Sequence, residues 1–245
     1  MDILGLQGLI LVRKLDRATT TKQLTRENLS ECCVEHGADH ARTHPETVLP
    51  FYAGSATQEV VAGLFAKKIV LVEGSTESLA LPTYLRKVGL DVTKEGIAIV
   101  PVMGKGNLAK WWRFFMAYDI PTFITFDNDA DDDESATRRK DALKTLGFDD
   151  SQASSLTDSG KWLVDDSICV FGKNFEDTMR RSFAQYADVE SEARKSTGDS
   201  KPLTARFVAH ELSPNDRDPG WARFRDFAKK LRDLSTAQEG DEIPF

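Results

Sequence analysis

Four short apolar runs divide the middle of the chain, at residues 69–72, 97–102, 121–126 and 167–171. The segments that follow them carry apolar residues at helical spacing. Short runs rich in valine and isoleucine are typical of strands buried on both faces of a parallel sheet. Strands that alternate with helices predict βαβ units. The pattern therefore predicts an α/β fold, with a parallel-sheet core and helical additions at both ends.

Helices are predicted before, between and after these strands. They cover residues 25–36, 55–66, 76–88, 108–118, 132–146, 175–186, 203–212 and 221–234. Gly37 and Gly89 follow two of them in the position where glycine commonly ends a helix. Residues 149–161 are rich in serine, aspartate and glycine, which predicts a loop. Residues 8–12 are expected to form a further strand.

Acidic side chains follow two of the predicted strands. Glu73 comes directly after the first strand with Glu77 one turn into the next helix, and Asp127 and Asp129 come directly after the third strand. Ligands bind at the carboxyl edge of open α/β sheets, so we expect these four carboxylates to meet there. Such a cluster is costly unless cations neutralise it, and its oxygens suit Mg²⁺ or Mn²⁺. A competing interpretation makes the glutamates only favourable charges at a helix start.

Charge and cysteine content narrow the classes of protein. The formal net charge of −7 argues against indiscriminate polyanion binding, but it is compatible with a nucleic-acid enzyme that holds cations. The three cysteines are an odd number and do not form a disulfide framework. Nothing resembles a signal peptide or a membrane span. The sequence therefore predicts a cytoplasmic protein with no membrane partner.

Three motifs resemble one known family. Residues 72–77 (VEGSTE), 104–107 (GKGN) and 126–129 (FDND) are similar, in order and spacing, to the Toprim domain of the OLD (overcoming lysogenization defect) nucleases. Residues 64–69 (LFAKKI) and 200–206 (SKPLTAR) resemble flanking motifs of that family. The resemblance implies a Toprim-type core. It covers about residues 60–210, well over half of the chain.

The resemblance also implies a domain organisation. Residues 1–63 are expected to continue an upstream ATPase domain, residues 64–187 to form the Toprim catalytic core, and residues 188–245 to form a helical region that carries the Lys201 loop. The Gly-Lys pairs of this sequence lack the Walker A spacing. ATP is therefore not expected to bind to this chain.

The activity implied by the resemblance is a metal-dependent endonuclease that nicks or cleaves DNA with two Mg²⁺ or Mn²⁺ ions. Glu73, Asp127 and Asp129 are the catalytic metal ligands in this interpretation, and Glu77 is a direct or water-mediated one. The other assigned residues are Thr125 as a possible oxygen ligand, Glu176 for the second metal with Asp177 as an alternative, and Lys201 to stabilise charge on the phosphorane or orient the water.

DNA is expected to bind through its phosphate backbone with weak sequence preference, because no base-reading motif is visible. The candidate contacts are Lys105, Lys110, Arg113, Arg138, Arg139, Lys140, Arg180 and Arg181. Two alternatives stay open. One is another Toprim activity of the topoisomerase or primase kind, and the other is a receiver-like or phosphatase-like module with an acidic pocket.

Overall fold

A computed structural model of the chain describes residues 3–15, 18–129, 133–158 and 160–235. Its strands are β1 Ile10–Leu15, β2 Ala18–Gln23, β3 Lys68–Val72, β4 Ile97–Pro101, β5 Thr122–Asp127, β6 Leu163–Val164 and β7 Ile168–Phe171. The central sheet has the order β4–β3–β5–β7–β6, in which only β6 runs antiparallel to its neighbour. The predicted α/β fold with a largely parallel sheet is confirmed.

Helices cover both faces of this sheet. They are α1 Arg26–Glu35, α2 His40–Thr43, α3 Val48–Ala53, α4 Gln58–Gly63, α5 Ser75–Lys87, α6 Leu108–Ala117, α7 Asp133–Thr145, α8 Asp150–Asp158, α9 Phe175–Ser182, α10 Tyr186–Thr197, α11 Lys201–Glu211 and α12 Pro219–Asp233. Short 3₁₀ helices cover Ile3–Gly8 and Lys105–Asn107. None of the helices within the described ranges has the length and apolar character needed to cross a membrane.

The two faces of the sheet pack against different helices because side chains alternate along each strand. In β3, Ile69 and Leu71 join a core with α1, α3 and α6. Val70 and Val72 join a second core with α5, α9, α11 and α12 on the other face. All four side chains are fully buried. Strand β3 is therefore buried on both faces, as its sequence predicts, and its carboxyl end lies between two packed layers.

Residues 149–161 are not a loop, contrary to the prediction, because most of them form α8. The Asp149 carboxylate accepts a hydrogen bond from the Gln152 amide at 2.8 Å, and the Gln152 side chain accepts one from the Asp149 amide at 2.9 Å. This reciprocal pair is a capping box that stabilises a helix start. Ala153 is buried in the core beside it. The D-x-x-Q spacing in the sequence indicates this helix start, whereas the amino-acid composition of the segment indicated a loop.

The single helix predicted over residues 175–186 is divided at Phe183. This residue takes an extended backbone, with φ −133° and ψ 116°, and its ring lies 5.6 Å from that of Tyr84 and 5.1 Å from that of Trp221. Packing of the Phe183 ring against these neighbours thus interrupts the predicted helix. The antiparallel partner of β1 is also absent from the prediction, because β2 is a threonine-rich and mostly exposed segment.

We expect Gly220→Ala to destabilise the protein. A Cβ at this position would lie 2.3 Å from the Phe183 ring, and that ring cannot move aside because it is buried against Trp221. Overpacking of this kind costs about 1–3 kcal/mol, measurable by denaturant unfolding. Adding Phe183→Leu should recover part of the loss if the clash is the cause. Equal stability of the Gly220→Ala protein and the wild type would contradict this packing.

Candidate metal centre

Three carboxylates meet at the carboxyl edge of the sheet. Strands β3 and β5 are parallel neighbours, so the residues that follow them leave the sheet side by side. Glu73, Asp127 and Asp129 each offer one carboxylate oxygen, and these oxygens all lie within 4.8 Å of one another. The geometry places Glu73 beside Asp127 and Asp129, which follow it by more than fifty positions in the sequence. Their distances suit a shared cation.

The turn that carries Asp129 is held by its neighbours. The amide of Asn128 donates to the Phe171 carbonyl at 3.0 Å, and the amide of Asp129 donates to the Lys173 carbonyl at 2.9 Å. Asp129 itself has φ 41°, a left-handed conformation that aspartate tolerates better than most residues. The end of β7 therefore fixes the backbone from which Asp129 reaches the other carboxylates.

Arg139 on α7 clamps the same turn from the other side. Its guanidinium donates to the carbonyl oxygens of Asn128 and Asp129, the latter at 2.9 Å. The side chain is buried, so the expectation that Arg139 contacts DNA is wrong. Sequence reasoning missed its supporting position because α7 is a polar helix with no pattern that distinguishes one arginine from its neighbours.

Replacing Arg139 by lysine is expected to weaken Mn²⁺ binding about tenfold, because groups that orient metal ligands contribute on this scale. Lysine keeps the positive charge but cannot hold two carbonyls in the geometry of a planar guanidinium. Isothermal titration with Mn²⁺ measures the effect. The reciprocal control is Lys140→Arg at the exposed neighbour, which should bind Mn²⁺ like the wild type. Unchanged affinity in Arg139→Lys would show that the clamp does not position Asp129.

Lys105 reaches the carboxylates from the loop after β4. The amide of Gly104 donates to the Glu73 carbonyl at 2.8 Å, which ties this loop to the end of β3. The Lys105 ammonium lies 2.8 Å from Asp129 Oδ2 and 3.6 Å from Glu73 Oε1, and its side chain is 4% exposed. The structure therefore directs Lys105 into the acid cluster, where it offsets part of the negative charge, instead of toward solvent.

Comparison with known proteins identifies the core. Residues 64–129 match the family model described as overcoming lysogenization defect protein-like, TOPRIM domain. This segment is similar to OLD-like Toprim domains. The family resemblance read from the sequence is confirmed. The matched segment contains β3, β4, β5 and the three converging carboxylates.

Relatives of the OLD-like Toprim domain agree with this family. The Old nuclease of Escherichia phage P2 is 37% identical over 83 residues, which is 34% of this chain but only 14% of the phage protein. The C-terminal region of the Xanthomonas campestris pv. campestris OLD protein superimposes with TM-score 0.52 at 16% identity, covering 69% of this chain and 96% of that one. The corresponding region of the Burkholderia pseudomallei OLD protein gives TM-score 0.51 at 18% identity, covering 69% and 98%.

Burial sets the electrostatics of the OLD-like Toprim domain. Burial raises the pKa of Asp127 well above its ordinary value, and the nearby carboxylates of Glu77, Glu73, Asp129 and Glu176 raise it further. The pKa of Glu73 rises to about 7 for the same reason, although the Lys105 charge opposes the shift. These carboxyl groups therefore hold protons more tightly than exposed carboxyl groups do. They release the protons when a divalent metal ion binds.

The surroundings of Asp127 Oδ1 indicate which kind of ligand suits the three converging carboxylates. This oxygen is buried and has no hydrogen-bond partner among the residues that the structure describes. A buried carboxylate oxygen without a partner is costly, and a hard divalent cation both neutralises the charge and satisfies the oxygen. The donor set is carboxylate only, with no thiolate or imidazole among the three converging residues. The residues of this Toprim domain therefore fit a cation such as Mg²⁺ or Mn²⁺.

The remaining predicted acids lie around the three converging ones. Glu77 is buried, and its carboxylate accepts a hydrogen bond from the Gly74 amide at 3.2 Å. Burial raises the pKa of Glu77, and Glu176 on α9 contributes to the same shift, so the two side chains are electrostatic neighbours. Asp177 instead pairs with Arg181 at 2.9 Å. Of these two neighbours on α9, Glu176 is the one directed to the acid cluster.

Thr125 and Lys201 occupy different surroundings. The Thr125 hydroxyl is buried in the sheet and donates to the Leu71 carbonyl at 3.3 Å. The structure thus gives it a partner in the neighbouring strand. Lys201 is the first residue of α11 and lines a cavity together with Glu176. The structure thus places Lys201 in the same cavity as Glu176.

Two of the residues expected to contact DNA have buried side chains that bind other parts of the chain. The Lys110 ammonium donates to the Phe51 carbonyl and the Ser55 hydroxyl, both at 2.6 Å. Arg113 donates to the His36 carbonyl at 2.8 Å and pairs with Asp141 at 3.1 Å. Both residues join α6 to surrounding helices.

Proposed function

We propose that this chain is the nuclease region of an OLD-family protein and that it hydrolyses phosphodiester bonds of DNA with two divalent ions, Mg²⁺ or Mn²⁺. The observation that carries the proposal is the convergence of Glu73, Asp127 and Asp129 around a buried carboxylate oxygen that has no partner in the described part of the chain. The phage relative is named a nuclease, which supports the same class of reaction.

Five carboxylates would hold the two ions. Glu73, Asp127 and Asp129 would bind one, and Glu77 and Glu176 would complete a second site beside Asp127, to which both are electrostatically coupled. When bound, two such ions supply an activated water and stabilise the departing 3′ oxygen.

Other side chains of this chain have supporting roles in the proposed reaction. Lys201 would stabilise negative charge that develops on the phosphorane or orient the water. Lys105 would balance the acid cluster, since it already pairs with Asp129 and Glu73. Arg139 would keep the Asp129 turn fixed through its bonds to two carbonyls. Thr125 stays a further candidate oxygen ligand of the proposal.

The partners of the proposed enzyme are DNA and an ATPase domain of the same protein. DNA would be held through backbone phosphates with weak sequence preference, and Arg181 is an exposed candidate contact. The matched segment spans about a seventh of the phage nuclease, which leaves room in such proteins for an upstream ATPase domain. The proposed location is the cytoplasm.

The four tyrosines weigh against a topoisomerase activity within this chain. Tyr52, Tyr84, Tyr118 and Tyr186 are all buried at 0–1% exposure, whereas a tyrosine that attacks DNA must reach a phosphate. Tyr52, Tyr84 and Tyr118 instead pack against other aromatic rings. The Tyr186 ring lies 6.0 Å from the Arg180 guanidinium. A hydrolytic reaction accords better with these surroundings.

A plasmid assay tests the proposal. Supercoiled plasmid is incubated with the protein and Mg²⁺, Mn²⁺, Ca²⁺ or EDTA, without ATP. We expect nicked or linear plasmid with Mg²⁺ or Mn²⁺ and intact plasmid with EDTA. Reversible relaxation would indicate a topoisomerase, and an aspartyl-phosphate product would indicate a receiver. Intact plasmid under every metal condition would refute the nuclease proposal for this chain.

A further inference from the structure

A small polar cavity lies between α9, α10 and α11, beside the acid cluster. Its volume is about 120 Å³, enough for a phosphate group, and it opens to solvent. Charged side chains dominate its lining: Glu176, Arg180, Glu190, Arg194, Asp199 and Lys201. Glu176 is also close enough to Asp127 and Glu77 to raise the pKa of both. An occupant of the cavity would therefore sit next to the proposed metal centre.

Glu190 holds Arg180 in one orientation. The two Glu190 oxygens accept from Arg180 Nε and Nη2, both at 2.7 Å. Arg194 donates to the same carboxylate at 3.0 Å. Glu190 is buried, and a paired fork of this kind is among the strongest side-chain contacts. Because this pairing uses only the Nε and Nη2 edge of Arg180, the Nη1 edge stays free of protein partners within the described residues.

The first turn of α11 adds further positive potential to the cavity. Lys201 begins this helix, and the N-cap residue Ser200 makes no side-chain bond to the first turn. Amide groups in an uncapped first turn and the helix dipole both favour an anion. Three bases and three acids line the cavity. Once Glu176 holds the proposed second ion, the bases outnumber the remaining acids by one, which favours an anionic ligand. The cavity thus combines a fixed arginine, a lysine and a helix start.

We propose that this cavity is a phosphate subsite, in which Arg180, positioned by Glu190, binds a backbone phosphate of the DNA strand beside the phosphate that is cleaved. This inference rests on the proposed nuclease function. The ligand class follows from the charge of the cavity, from its size and from its place next to the carboxylates. A phosphodiester strand that reaches the metal centre would present successive phosphates on both sides of it.

The test uses DNA binding by the full chain in Ca²⁺, measured by fluorescence anisotropy on a short duplex. Arg180→Met should weaken binding about tenfold, as expected for the loss of one charge-assisted phosphate contact. Arg180→Lys should recover only part of this loss, because a lysine ammonium cannot form the bidentate pair with Glu190 that orients the arginine. Glu190→Gln should weaken binding by an intermediate factor. The control is Arg225→Met, at an exposed arginine of α12 that pairs with Asp216, and it should bind like the wild type.

Neutral methylphosphonate linkages identify the contacted phosphate. They are placed one at a time at each linkage of a duplex short enough to bind in one register. For the wild type we expect one position to weaken binding about tenfold, and for Arg180→Met the same substitution should have no further effect. Independent, additive losses at every position would overturn the subsite, as would wild-type affinity in both Arg180 variants or no DNA binding by the wild type.

The results separate the subsite from the nuclease proposal. Coupling between Arg180 and one phosphate, in a protein that leaves plasmid intact, would support the subsite and reject the nuclease. Metal-dependent cleavage without such coupling would reject the subsite and leave the nuclease standing. Thermal unfolding of each variant shows that the comparison is made between folded proteins.

Discussion

Asp127→Asn is expected to abolish metal-dependent DNA cleavage and, in the same protein, to raise the melting temperature measured in EDTA. The loss of activity should be at least about a hundredfold, because Asp127 is shared by both proposed ion sites. The gain in stability follows from removing a buried carboxyl group whose pKa is raised by burial and by four neighbouring acids. Each kcal/mol gained should raise the melting temperature by about 2–4 °C.

Asp129→Asn is the matched control for this result. Asp129 is more exposed than Asp127 and pairs with Lys105 at 2.8 Å. Its replacement should also remove cleavage, but without raising the melting temperature, because a favourable ion pair is lost. Plasmid cleavage and differential scanning calorimetry in EDTA measure the two effects. Retained cleavage by Asp127→Asn would eliminate this residue as a metal ligand.

Binding of Mn²⁺ is expected to tighten as the pH rises from 6 to 8. The pKa of Glu73 is raised from 4.5 to about 7, so below pH 7 a proton competes with the ion for this carboxylate. The affinity should change by up to about tenfold per pH unit below the pKa and level off above it. Calorimetric titration in buffers of different ionisation enthalpy also reports the released proton.

Stability without divalent ions should vary with pH in the opposite direction. A carboxyl group with a raised folded-state pKa stabilises the folded protein most below its unfolded pKa of 4.5. That contribution is lost as the pH rises through about 7. Glu73→Gln should remove this part of the pH dependence from melting curves in EDTA, and it should flatten the Mn²⁺ profile. A pH profile equal to that of the wild type would assign the titration to another group.

The parts of the molecule that the sequence predicts well are those determined by adjacent residues. Strand β3 and its exit at Glu73 are contiguous, as are β5 and Asp127, so each strand end and its acid can be recognised together. That these ends become neighbours depends on the sheet order β4–β3–β5–β7, which alternation alone does not specify. The rule that ligands bind at the carboxyl edge of open α/β sheets supplied that step. The fold and the position of the acidic residues at the carboxyl edge of the sheet could therefore be predicted from the sequence.

The errors concern residues whose environment is set by distant parts of the chain. Lys110 and Arg113 looked like surface charges, but helices that are remote in sequence cover them. Arg139 acquired its position from a turn ten residues earlier. Phe183 broke a predicted helix because an aromatic core formed around it. In each case tertiary packing outweighed a local pattern.

The parallel pairing of β3 and β5 has a thermodynamic consequence. Glu73 and Asp127 belong to separate βαβ crossovers, so the complete ligand set exists only in chains whose sheet has closed. A cation that needs this complete ligand set binds the folded protein and not the unfolded chains, so it shifts the folding equilibrium toward the folded state by mass action. At an ion concentration a hundred times the Kd, the shift amounts to about 2.7 kcal/mol. The concentration of divalent ions would then determine the folded fraction of the protein as well as the rate of the proposed DNA cleavage.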